Sequence, residues 1–205
     1  MIKINDSQGP GHLANRDGED KTDEELVNLT LDNQSYFLYL IKRYEEKLLN
    51  YVLRITNVSH EEAEDILQDV FIKVYENLRD FDTDLKFSSW IYRITHNQVI
   101  SNFRKNKARP QVAIFDLEED VLKRLASDLD LISEMDARLL KKNINQVLAR
   151  LGSQYREILV LKYLEEKDYR EISDIIKKPM GTVASLINRA KKEFRQELEK
   201  QNIKV

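Results

Sequence analysis

Hydrophobic positions recur at intervals of three and four over most of this chain, a spacing that predicts helices. The pattern turns helical at Asp23 and runs to about Asn57, with Phe37, Leu40, Ile41, Tyr44, Leu48, Tyr51, Val52 and Ile55 in phase. Ser59 with Glu62 three residues on reads as a capping box. The helix it opens turns Ile66, Leu67, Val70, Phe71, Val74 and Leu78 inward, while Glu61, Glu62, Asp65, Gln68 and Asp69 lie on its other side. Acids in the first turns suit the helix dipole, so part of that face needs no partner. Residues 79–87 break the period and read as a loop. Ser88 and Ser89 then start a helix to about Asn106, with Trp90, Ile91 and Ile94 inward and Arg93, Asn97, Ser101 and Arg104 along another face.

Residues 1–22 are polar, carry Gly9, Pro10, Gly11 and Gly18, and are expected to be disordered. Residues 107–135 are too long for an ordinary loop and read as a tether between modules. Beyond them the helical period returns. Ile144, Val147, Leu148 and Leu151 form one stripe, and Tyr155, Ile158, Leu159 and Tyr163 the next. Asp168 with Glu171 caps a short helix through Ile172, Ile175 and Ile176, residues 177–181 make a tight turn, and Thr182 is expected to cap the last helix. The fold class that follows is all-α: two small helical modules, 23–106 and 136–205, joined by a linker. A short helix, a tight turn and a second helix give the C-terminal module the layout of a DNA-reading helix-turn-helix. On its last helix Val183, Ile187, Ala190 and Phe194 share the buried stripe, and Ser185, Asn188, Arg189 and Lys192 lie opposite. Short hydrogen-bonding groups mixed with cations are what base edges and phosphates require. The same spacing also fits a plain helical hairpin with a solvated face.

Composition narrows the choice. Five glycines and three prolines in 205 residues disfavour a turn-rich β fold. With no cysteine there is neither a disulfide nor a thiolate zinc site, and no metal or cofactor is expected. No apolar start resembles a signal peptide and no apolar run reaches membrane-spanning length, so a soluble, cytoplasmic protein without membrane insertion is expected. The net charge of −3 conceals segregation. Basic residues outnumber acidic ones by six to two over 81–110 and by thirteen to nine over 143–205, while the remaining stretches are acidic. Two basic islands fit two contacts on a polyanion, although solvated surface charge gives the same pattern.

Two stretches resemble one family in the same order and at the same separation. The run from Glu61 to Tyr75, followed by Phe87 to Asn97, resembles the core-binding and promoter-melting module of bacterial sigma factors. Tyr155 to Glu165, Tyr169 to Ser173 and Pro179 to Lys192 resemble their C-terminal helix-turn-helix module. Having only these two modules resembles the extracytoplasmic-function (ECF) group of the sigma-70 family, over roughly residues 23–200. The resemblance implies that Asp65, Gln68, Asp69, Phe71 and Lys73 dock on core RNA polymerase. It implies that Phe81, Phe87, Ser89, Arg93, Asn97, Ser101, Arg104 and Lys105 serve the minus-ten element of promoter DNA, Asn97 aligning with a position that meets a flipped base. Phe71, Phe81, Phe87 and Trp90 also read as core aromatics.

For the minus-thirty-five element the resemblance implies Thr182, Ser185, Asn188, Arg189, Lys191 and Lys192. Here the chain departs from its relatives, with Ala184 and Leu186 where basic residues are usual. Two missing phosphate contacts lower the salt slope of DNA binding by up to about two, and Leu186 reads either as an extension of the buried stripe or as a partner contact. Family members are often held by an anti-sigma factor, a candidate partner here. A stand-alone helix-turn-helix regulator is the alternative, but it leaves 60–105 without a role. An enzyme is disfavoured: there is no glycine-rich phosphate loop, and the run from His60 to Glu62 lacks the second histidine of a zinc hydrolase helix.

Overall fold

Three helices open on the same reciprocal cap. Thr22 and Glu25, Ser59 and Glu62, and Asp168 and Glu171 each exchange side-chain and backbone hydrogen bonds across three residues, satisfying two donors that a helix start leaves open. The computed structural model describes residues 18–56, 58–82, 85–105, 124, 127 and 137–200, and its helices begin where these caps put them. In the N-terminal module α1 spans Asp23–Asp32, α2 Phe37–Ile55, α3 His60–Glu76 and α4 Phe87–Lys105, with single 3₁₀ turns at Gln34–Tyr36 and Leu78–Asp80.

The helix expected from Asp23 to Asn57 is therefore two. Asn33 adopts extended backbone and its side chain accepts from Ser35 N, a local bond that competes with helix continuation. Residues 18–22 also differ from the disorder expected of them. Arg43 donates to the carbonyls of Gly18 and Glu19, and a Cβ on Gly18 would meet the Tyr39 ring at 2.6 Å. A glycine is needed there for close approach. Glu24 reaches across to accept from Phe87 N at 2.9 Å, so α1 supplies a carboxylate to the positive end of α4. The core between α2, α3 and α4 holds Leu40, Leu48, Val52, Ile66, Val70, Val74 and Ile91, all buried.

In the C-terminal module α5 spans Ala137–Arg150 and α6 Ser153–Leu159, the latter running into a π-helical turn at Val160–Leu164. Then come α7, Tyr169–Ile176, and α8, Met180–Lys200. The stripes read from sequence meet: Ile144, Val147 and Leu148 on α5, Ile158 and Leu159 on α6, Ile172 and Ile175 on α7, and Val183, Ile187, Ala190 and Phe194 on α8 are all buried. Lys177, in the left-handed region at φ 51°, turns the chain between α7 and α8, and Ser173 Oγ donates to Lys178 O at 2.6 Å. Helix α8 starts at Met180, two residues before the expected cap; Thr182 sits inside its first turn and its N–H bonds Pro179 O at 2.8 Å.

The two modules are docked, with α6 against α2 and α7 against α4. Arg156, 5% exposed, contributes from the second module: its guanidinium donates to Ala149 O at 2.6 Å and to Thr56 O of the first module at 3.4 Å. No described helix is long and apolar enough to cross a membrane.

The α7 cap gives a test. The bond from Glu171 N, foremost, holds the Asp168 carboxyl below its ordinary value of 3.8. A folded-state value lowered in this way adds stability that is complete above the unfolded value and vanishes as pH falls through the folded one. Asp168→Ala should cost about 1 kcal/mol near neutrality, and urea melts of variant and wild type should converge as pH drops below the aspartate range.

Candidate nucleic-acid interface

Helix α4 has three faces. One carries Phe87 and Ile91 into the first module's core, a second carries Tyr92, His96 and Val99 toward the second module, and a third is open. On the third face Arg93, Trp90, Ile94 and Asn97 join Lys73, Asn77 and Asp80 from the end of α3 and the turn after it, lining a cleft of about 430 Å³. Asn97 is exposed and Arg93 and Ser101 are half-buried. The Arg93 guanidinium and the Asn97 carboxamide offer charge and hydrogen bonds in one cleft, while Trp90 lines it as a buried side chain.

Lys73, expected on the polymerase-binding face, lines this cleft, and its ammonium donates to Gln98 Oε1 at 2.5 Å. Gln98 in turn donates to Asp69 at 2.7 Å, so α3 and α4 are tied beneath the cleft floor by a short polar relay. Asn77 and Asp80 were missed from sequence. The signal was there, since Lys73, Asn77 and Asp80 fall four and three residues apart.

Three residues expected to serve DNA are not at the surface. Phe87 is 0%, Phe81 7% and Ser89 6% exposed. Phe81, Phe87 and Trp90 stack on one another with ring centroids 5.2 to 5.6 Å apart, and Tyr44 closes the cluster against Phe87. The loop's aromatics anchor it to the core, and their ring faces are already occupied. The side chains of Arg104 and Lys105 lie outside the described residues.

In the C-terminal module Thr182, Ser185, Asn188, Arg189 and Lys192 line α8, and Lys191 is half-buried beside them; Thr182, Asn188 and Arg189 are exposed. Ser185 Oγ donates back to Gly181 O at 2.9 Å, leaving its lone pairs outward. Ala184 is half-buried and Leu186 is 7% exposed. Leu186 faces neither solvent nor its own module's centre alone: it lines an apolar groove shared with Ile55, Val99 and Ile100 of the first module.

On α3, Asp65, Gln68 and Asp69 are exposed and Phe71 is half-buried against Phe37, edge-on at 6.4 Å. Beside them Ile72 is 56%, Tyr75 41% and, from α2, Leu38 57% exposed. This apolar strip was missed because Ile72 and Tyr75 lie in a near-continuous hydrophobic run with Val70, Phe71 and Val74, more than one helix face can bury. Among the described residues no cluster of three or more histidine or carboxylate groups could hold a metal ion.

Two family models match, sigma-70 region 2 over residues 40–109 and sigma-70 region 4 over residues 141–194. Over 175 residues the chain is 33% identical to the ECF RNA polymerase sigma factor SigW of Bacillus subtilis, covering 81% of this chain and 90% of that one. This chain belongs to the ECF group of sigma-70 factors. The ECF RNA polymerase sigma-E factor of Escherichia coli K12 is 31% identical over 178 residues, covering 84% of this chain and 92% of its own. Among solved structures, CnrH in complex with the cytosolic domain of CnrY has the same fold, with a TM-score of 0.62 at 22% identity over 87% of this chain and 98% of that one. A sigma factor RpoE from Bartonella quintana, bound to the anti-sigma factor NepR, gives 0.57 at 19% identity over 80% of this chain and 96% of that one. The cleft between α3 and α4 falls in region 2 and the outer face of α8 in region 4.

Burial separates two classes of substitution. Phe87→Ala should lower unfolding free energy by about 3–5 kcal/mol, as truncation of a buried aromatic does. Asn97→Ala, at an exposed position, should stay within about 0.5 kcal/mol. Denaturant titration of both variants checks this assignment of core against surface.

Proposed function

We propose that this sigma factor acts as the promoter-reading subunit of RNA polymerase, with region 2 at 23–106, a linker at 107–135 and region 4 at 136–205. The observation that carries the reading is the open cleft of α4, where Arg93 and the exposed Asn97 stand beside the buried Trp90 on an otherwise closed helical module. In this reading Asn97 and its neighbours hold a flipped base of the minus-ten element. Extrusion costs a few kcal/mol and is offset by about 1–3 kcal/mol per base of stacking and bonding. Thr182, Ser185, Asn188, Arg189, Lys191 and Lys192 face the major groove of the minus-thirty-five element.

Core polymerase docks on α3. The exposed carboxylates of Asp65 and Asp69, with Gln68, border the apolar strip of Ile72, Tyr75 and Leu38, and half-buried Phe71 lies between. An apolar centre with a charged rim is the ordinary anatomy of a protein interface. The chain supplies binding and positioning, and the synthetic chemistry belongs to polymerase. That work puts it in the cytoplasm. An anti-sigma factor is a further partner, supported by two solved structures of this fold, CnrH in complex with the cytosolic domain of CnrY and the sigma factor RpoE in complex with the anti-sigma factor NepR.

Run-off transcription with core polymerase on a promoter library tests the assignment. Open complexes should form only when core enzyme and this chain are both present. Asn97→Ala should lower opening about five- to hundred-fold, the equivalent of the roughly 1–3 kcal/mol of one base contact. No transcription from any promoter, with no association to core in a pull-down, would refute the reading in favour of a stand-alone regulator. For the second module, Arg189→Ala and Lys192→Ala should each reduce the salt slope of holoenzyme binding to a minus-thirty-five duplex by about one.

A further inference from the structure

Asp69 and Lys73 stand one turn apart on α3, the spacing at which an acid and a lysine on one helix ordinarily pair with each other. Here a buried amide from α4 bridges them. Gln98, 8% exposed, accepts from Lys73 Nζ through Oε1 at 2.5 Å and donates from Nε2 to Asp69 Oδ2 at 2.7 Å. These partners permit one orientation of the amide, because an ammonium can only donate and a carboxylate can only accept. A flipped amide would set its N–H groups against the ammonium and its carbonyl against the acid.

The bridge decides where the Lys73 charge goes. Its backbone is held at the end of α3, where Lys73 O accepts from Asn77 N at 3.1 Å and from Asn77 Nδ2 at 2.7 Å. A long side chain on a fixed backbone still loses rotamer freedom when it grips a ligand. Gln98 draws this one toward α4 beforehand, at the edge of the cleft that Lys73 lines with Arg93 and Asn97. The ammonium has three donors and gives one to Gln98, so two are left for the cleft. The residue type matters as well. A carboxylate at this position would hold the lysine but cancel its charge, whereas an amide holds it and leaves the charge for a phosphate oxygen.

We propose that Gln98 is a positioning residue of the minus-ten cleft. It holds the Lys73 ammonium where a phosphate of the unpaired promoter strand passes, and Asp69 keeps its amide the right way round. The DNA contact rests on the promoter-reading function proposed above; the relay of hydrogen bonds does not.

The test titrates holoenzyme with a fluorescent single-stranded oligonucleotide carrying the minus-ten element of a promoter selected from the library, over a range of salt. Lys73→Met should weaken binding about ten-fold and reduce the salt slope by about 0.7, one phosphate contact on a single strand. Gln98→Met keeps the length and lacks the carbonyl. It should weaken binding about three-fold or more when Lys73 is present, the cost of ordering a freed side chain. Added to Lys73→Met it should weaken binding by less than about 1.5-fold, because the two act as one unit. Gln98→Glu should reduce the slope by about 0.7 although Lys73 is intact. A glutamine that served only the fold would weaken binding equally in both backgrounds; that additivity, or an unchanged slope in Gln98→Glu, overturns the positioning role. In the free protein without DNA, the Nε2 resonances of Gln98, identified by their loss in Gln98→Met, should shift in Lys73→Met and in Asp69→Ala. Unshifted resonances overturn the relay. If they shift while Lys73→Met, Arg93→Ala and Asn97→Ala all leave oligonucleotide binding unchanged, the promoter-reading assignment of the cleft fails and the relay stands.

Discussion

Charges taken from water must be met by partners, and in this chain that requirement is met across a gap. Each module closes its own apolar stripes: α2, α3 and α4 around Leu48, Val52 and Val70, and α5 to α8 around Leu148, Ile158 and Phe194. What those stripes leave over is polar. Tyr51 is fully buried, yet its hydroxyl finds an acceptor in Glu157, 106 residues further along. Arg156 completes carbonyls at the end of α5 and also reaches Thr56 at the end of α2. Apolar packing therefore closes each module, and buried hydrogen bonds join the two. The distinction has consequences, because returning apolar surface to water is costly whereas rehydrating a carboxylate is not.

That division also explains what could be read from the chain alone. Stripes at three and four, two capping boxes and the helix-turn-helix are local patterns, and Val183, Ile187, Ala190 and Phe194 lie buried on one face of α8 as the period requires. The errors came where short-range chemistry overrode the period. Asn33 bonds its neighbour and stops α1, and Pro179 accepts from Thr182 so that α8 starts early, while the turn at Lys177 falls where it was expected. Phe81 and Phe87 flank a loop and so resembled a ligand-facing pair, but their sequence position carries no information about the mutual stacking that buries them. The junction was wholly illegible: Tyr51 to Glu157, Arg54 to Glu165 and His96 to Glu157 join residues 106, 111 and 61 apart, and periodicity says nothing at that range.

Of the departures at Ala184 and Leu186, the second lies beside the same junction. On a helix that only read DNA, apolar residues in place of cations would simply weaken the contact. Here Leu186 is 7% exposed and lines a groove with Ile55, Val99 and Ile100 of the first module. Thr182, Asn188 and Arg189 remain exposed and lie outside that groove.

Weak reading by each module follows from the same distribution of charge. With a net charge of −3 spread over acidic and basic stretches, each basic face offers a duplex few cations, and salt screens them. Two such contacts become selective only when a larger body holds both at the right separation, because the second then binds at the effective concentration set by the first.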